Sequence, residues 1–68
     1  MKLDEQIINA AMTSAQGDIE VHKTNIMIYL TNPAGIGEHS DVVEAVNAEL
    51  CKLAEADDRL EMISKYFK

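Results

Sequence analysis

His22 and Cys51 are the residues of this chain best suited to do chemistry together. His22 sits on an apolar helical seam, and a chain folded back about Ile36 sets it beside Cys51. An imidazole next to a thiol suggests a zinc site or an activated nucleophile. A structural zinc needs four ligands, and a nucleophilic cysteine needs a base that a third group orients. The second histidine, His39, lies at the fold-back, about 20 Å or more from His22 at the helical rise per residue. It cannot complete the set within one chain. The ligand count therefore favours a partly buried His22 bonded to a neighbour. No catalytic residue and no metal are expected, and the chain reads as a non-enzyme.

Two further patterns fall short in the same way. Gly35-Ile36-Gly37 ahead of a helix has the outline of a phosphate-cradling loop. Glu38 and Asp41 place negative charge where a phosphate would sit, and the Walker lysine is missing. The segment reads as a helix connector, and no cofactor is expected. Asp57 and Ser64 interrupt the apolar pattern of the second half. A polar residue there can fix register or sit at a seam edge. Asp57-Asp58 reads as part of a solvated acidic face.

These residues are positioned by two helices. Residues 33 to 40 hold the single proline and two of the three glycines, and apolar residues recur at helical spacing on both sides. The spacing predicts an all-α, antiparallel two-helix hairpin as one domain over residues 1–68. Its first helix spans about 3–31, its connector 32–40 and its second helix about 41–67. Ile8, Met12, Ala15, Ile19, His22, Ile26 and Tyr29 alternate by three and four, a coiled-coil-like seam that Ile7 and Leu30 widen. Gly17 lies mid-helix, either as a tolerated surface position or as a point of close helix approach. Asn32 before Pro33 ends the helix, and Ile36 is expected to cap the hairpin end.

In the second helix, Asp41 with Glu44 has capping-box spacing. The expected seam is Val43, Val46, Leu50, Leu53, Asp57, Leu60, Ser64 and Phe67, flanked by Val42, Ala45, Ala56 and Ile63. Glu55 with Arg59 and Glu61 with Lys65 are spaced as helical ion pairs. The fold-back sets Leu30 against Val43, Ile26 against Asn47, His22 against Cys51 and Ile19 against Ala54.

Composition sets the remaining bounds. The chain has 68 residues, 47% hydrophobic and 26% charged, the range of a folded protein. Six basic against twelve acidic residues, for a net charge of -6, argue against a nucleic-acid-binding surface and against an anionic membrane. The first residues lack the basic-then-apolar form of a signal peptide, and the longest apolar run, Ile26 to Leu30, is far too short to span a bilayer. A cytoplasmic location is expected.

A hairpin this small can hardly bury a core. Ile26, Met27, Ile28, Tyr29 and Leu30 are apolar all round the helix, more than one partner helix can cover. They are the expected oligomer or partner interface, with two hairpins forming a four-helix bundle.

Tyr29-Leu30-Thr31-Asn32-Pro33-Ala34-Gly35-Ile36-Gly37-Glu38-His39, followed by Asp41-Val42-Val43-Glu44-Ala45-Val46, resembles a stretch in small proteins of large contractile-tailed phages of the T-even type, including marine cyanophages. Ser40 stands where those proteins often carry proline. The resemblance implies a viral accessory protein acting in the host cytoplasm on a host or phage protein. It brings no activity and no site residues. The expected function is a non-enzymatic, self-associating interaction protein. The contrasting expectation is an acidic inhibitor that mimics nucleic acid and occupies a basic site on a host protein.

Overall fold

The computed structural model describes residues 2–31 and 39–68. Two long helices, α1 (Leu3–Thr31) and α2 (His39–Tyr66), pack side by side as an antiparallel hairpin. The molecule is a rod of 50 × 17 × 12 Å with a radius of gyration of 15.4 Å. A compact chain of this length would have a radius near ~11 Å.

Each helix start has a local cause. Lys2 lies just ahead of α1 and accepts the first helical bond, from the amide of Gln6 at 3.0 Å. The Asp4 carboxylate accepts the amide of Glu5 at 2.9 Å, which uses one of the donors a helix start leaves free. Asp4 and Glu5 also place negative charge at the positive end of the helix dipole. At the other end, the Thr31 hydroxyl donates to the carbonyls of Met27 and Ile28 at 2.8 and 3.3 Å. α2 begins at His39, two residues before the expected start. Asp41 therefore lies within the first turn and not at the cap, where it still favours the dipole. The expected roles of Asn32, Pro33, Gly35, Ile36 and Gly37 fall outside the described residues.

The seam of α1 is the expected one: Ile8, Met12, Ala15, Ile19, His22, Ile26 and Tyr29 are all half-buried or buried. Ile7 and Leu30 do not widen it, since both are exposed. The seam of α2 differs from its expectation. Val42, Val46, Glu49, Leu53, Ala56, Leu60 and Ile63 are withdrawn from solvent, while Val43, Leu50, Asp57, Ser64 and Phe67 are exposed. Val46, Leu53 and Leu60 belong to both patterns. The other column has moved by one residue, a rotation of the helix by roughly half of its per-residue turn.

Polar burial explains the choice. The expected column would press Asp57 and Ser64 against α1. The observed column puts Ala56 and Ile63 there and releases both polar residues to water. Its one polar member, Glu49, is matched by hydrogen-bonding groups on α1.

The interior is thin. Among the described residues, only Ala15, at 0% exposure, and Ala56, at 1%, are fully buried, and no large side chain is. The register that joins His22 to Glu49 sets these two alanines opposite each other, two turns further from the connector. Small side chains at that level let the backbones approach. Replacing Ala56 with Leu should therefore force the helices apart and lower stability by about 1–3 kcal/mol. Chemical denaturation would measure this; an unchanged midpoint would show that the alanine layer is not tightly packed.

Candidate functional site

Among the described residues, a part-buried polar cluster joins the helices. Glu49 of α2 points into the seam and meets two residues of α1 spaced by three, hence on one helix face. Asn25 Nδ2 donates to Glu49 Oε1 at 3.1 Å. His22 Nδ1 lies 2.5 Å from Glu49 Oε2, where the ring N–H donates to the carboxylate. The His22 and Glu49 side chains are 18% and 12% exposed, so the pair is shielded but not sealed. Such charge-assisted bonds are short and directional. The hydrogen bond from His22 holds the Glu49 carboxyl below its ordinary value of 4.5; partial desolvation pulls the other way and loses.

The chemistry open to this cluster is limited by what surrounds it. Cys51 does not meet His22. Two residues beyond Glu49, it lies on the outer side of α2 and is exposed. The expected pairing fails because the rotation of α2 gives the seam to Glu49. His39, expected in the connector, is the first residue of α2. Among the described residues, no group of three or more His, Cys, Asp or Glu side chains is placed to hold a metal ion. The sequence gives one signal for Glu49 that the periodicity reading passed over. Val42, Val46, Glu49, Leu53, Ala56, Leu60 and Ile63 alternate by four and three without a break, with Glu49 as the one charged member.

The other ionic contacts are peripheral. Arg59, which its spacing pairs with Glu55, reaches across the seam to Asp18 instead. Both side chains are close to half exposed, so the link adds little stability. Lys23 and Glu20 pair along α1 at 3.6 Å. Lys65 lies over the Tyr66 ring at 5.3 Å from its centroid.

Shallow grooves run along both flanks of the seam. Ala11, Ser14, Arg59 and Met62 border one; Ile19, Lys23, Leu50 and Ala54 border the other. Of the expected interface residues, Ile26 and Tyr29 are half-buried on the seam side of α1, while Met27, Ile28 and Leu30 are exposed. Met27 lies one turn on from Lys23, and Ile28 points away from α2. At Gly17 an added methyl group would meet nothing within 4 Å, so within the hairpin Gly17 is a surface position. No described helix is long and apolar enough to cross a membrane. Comparison with known protein families, curated proteins and solved structures gives no match for this chain.

The lowered Glu49 value fixes a pH dependence. A carboxyl whose folded value is depressed adds stability that is fully present above its ordinary value of 4.5 and is lost as the pH falls through the lowered folded value. Thermal melts from pH 7 down to pH 3 should therefore lose stability in that acid window, and Glu49→Gln should lose less there than the parent chain. Identical acid profiles for the two would show that the cluster is not a coupled pair.

Proposed function

We propose that this chain is a small, non-enzymatic interaction protein that works as a homo-oligomer, a structural accessory factor of the kind that its phage resemblance implies. The observation that carries this reading is the unfinished interior. Two alanines are the whole of the fully buried core among the described residues, while Leu3, Ile7, Val21, Met27, Ile28, Leu30, Val43 and Leu50 stand in water. Isolated hairpins gain most of their stability from faces they can bury, and among the described residues these faces have no partner. Met27 and Leu30, with Val43 across the seam near the connector end, are the surface assigned to a host or phage protein. Ile28, on the outer side of α1, is assigned to self-association.

A second reading rests on a specific feature of α2. Asp41, Glu44, Glu55, Asp57, Asp58 and Glu61 are all exposed along that one helix. A surface of this kind fits a basic, nucleic-acid-binding site on another protein. The two readings differ in their response to salt, because exposed charges are screened and apolar contacts are not. Affinity capture from producing cells should retain the partner from 0.1 to 1 M salt and lose it with Met27→Glu or Leu30→Glu. Loss of the partner by 0.5 M salt, with retention by both variants, would replace the packing reading with the acidic mimic.

A further inference from the structure

α2 carries two complete seams, and the hairpin uses one of them. Val46, Leu53 and Leu60 belong to both. The seam in use adds Val42, Glu49, Ala56 and Ile63. The idle seam adds Val43, Leu50, Asp57 and Ser64, with Val43 61% and Leu50 46% exposed.

Apolar burial hardly separates the two. An exchange trades Val42 for Val43 and Ile63 for Leu50, side chains of equal or nearly equal apolar area. Polar contacts decide. On the seam in use, His22 and Asn25 of α1 take up the two oxygens of Glu49, at 2.5 and 3.1 Å, and Arg59 of α2 reaches Asp18 of α1. Both links are at full strength only while the carboxylates are ionised. The idle seam has a polar match of its own within reach. Asp57 and Leu50 border the same groove as Ile19 and Lys23 of α1, and Lys23 is held only by Glu20, at 3.6 Å on the surface.

The step between the seams is small. Turning α2 by half of its per-residue angle moves the head of a side chain by about 5 Å. That takes Glu49 out of hydrogen-bond reach of His22. It also draws Arg59 from Asp18 and carries Leu50 and Asp57 toward Ile19 and Lys23.

We propose that α2 is a two-position helix locked by the Glu49 carboxylate, and that acid, by neutralising this carboxylate, releases the helix to turn onto its Leu50 side. A carboxyl that is bonded as the anion in one position and faces water in the other binds a proton more readily in the second, so acid draws the helix there. The hydrogen bond from His22 already holds Glu49 below its ordinary value, as this sign requires. Asp18 loses Arg59 in the same turn and adds a smaller push in the same direction. Lys52, one turn along α2, stays beside Glu49 in both positions and cancels. At Asp57, burial favours the neutral form and Lys23 the charged one, so the balance lies with Glu49. The turn exchanges which apolar side chains meet water: Val43 and Leu50 go in, and Val42 and Ile63 come out.

Nuclear Overhauser contacts across the seam, followed with circular dichroism from pH 7 to pH 3.5, test this. At pH 7 the Ala15 methyl should meet Ala56, and the His22 ring should meet Glu49. At pH 3.5 the Ala15 methyl should meet Asp57 and the His22 ring Leu50, with the ratio of the two contact sets changed at least about tenfold. Leu50→Lys puts a lasting charge on the idle seam and should keep the Ala15 to Ala56 contact at both pH values. Acid can also unfold a hairpin with so thin an interior, so Glu49→Gln with Asp18→Asn is measured at pH 7, where it imitates the neutral carboxyls without acid. Where the parent keeps its helices at pH 3.5, its contacts decide; where it does not, those of the double variant do. Ala15 on Asp57 upholds the switch. Ala15 still on Ala56, a double variant without helix when it must decide, or the same exchange in Leu50→Lys overturns it.

Discussion

A carboxylate between two helices is tolerated when its oxygens are taken up by hydrogen-bond donors. Glu49 meets that condition, with His22 on one oxygen and Asn25 on the other. The rest of the hairpin follows from this match. Once Glu49 is satisfied on the seam, α2 can turn so that Ala56 and Ile63 face α1, and Asp57 and Ser64 return to solvent. The same turn carries Val43 and Leu50 outward and moves Cys51 away from His22. One three-residue contact thus decides which apolar residues the hairpin keeps and which it presents.

What it keeps is little. Leucine and isoleucine side chains line the seam without being enclosed, and the fully buried layer is Ala15 with Ala56. Two cylinders touching along a line leave their flanks wet, whatever their sequence. The marginal interior is therefore a property of the architecture, and the apolar outer face of α1 is its counterpart. A helix meant to stand alone on its outer side would carry charge there, as α2 does with Asp41, Glu44, Glu55, Asp58 and Glu61.

Much of the hairpin was legible in the amino-acid order. The α1 seam and the all-α two-helix hairpin follow from three–four spacing and from one cluster of proline and glycine. The rotation of α2 did not, because Val46, Leu53 and Leu60 serve two adjacent seams equally well. The tie is broken by a contact between residues far apart in sequence, Glu49 with His22, which a count of apolar positions cannot register. The same holds for Arg59. Its spacing from Glu55 suggests a helical pair, but tertiary packing gives it Asp18. The expected interface was legible as an apolar run but not as separate surfaces: Ile26 and Tyr29 turn toward α2, and Met27, Ile28 and Leu30 turn outward.

The rotation of α2 is tested most directly by through-space proton contacts in solution. A nuclear Overhauser spectrum of the labelled protein should connect the His22 ring to the side-chain protons of Glu49, and the Ala15 methyl to that of Ala56. Contacts from His22 to Cys51, with Leu50 or Asp57 protons in place of Ala56 against α1, would mean that α2 presents its other column and that Glu49 does not organise the seam.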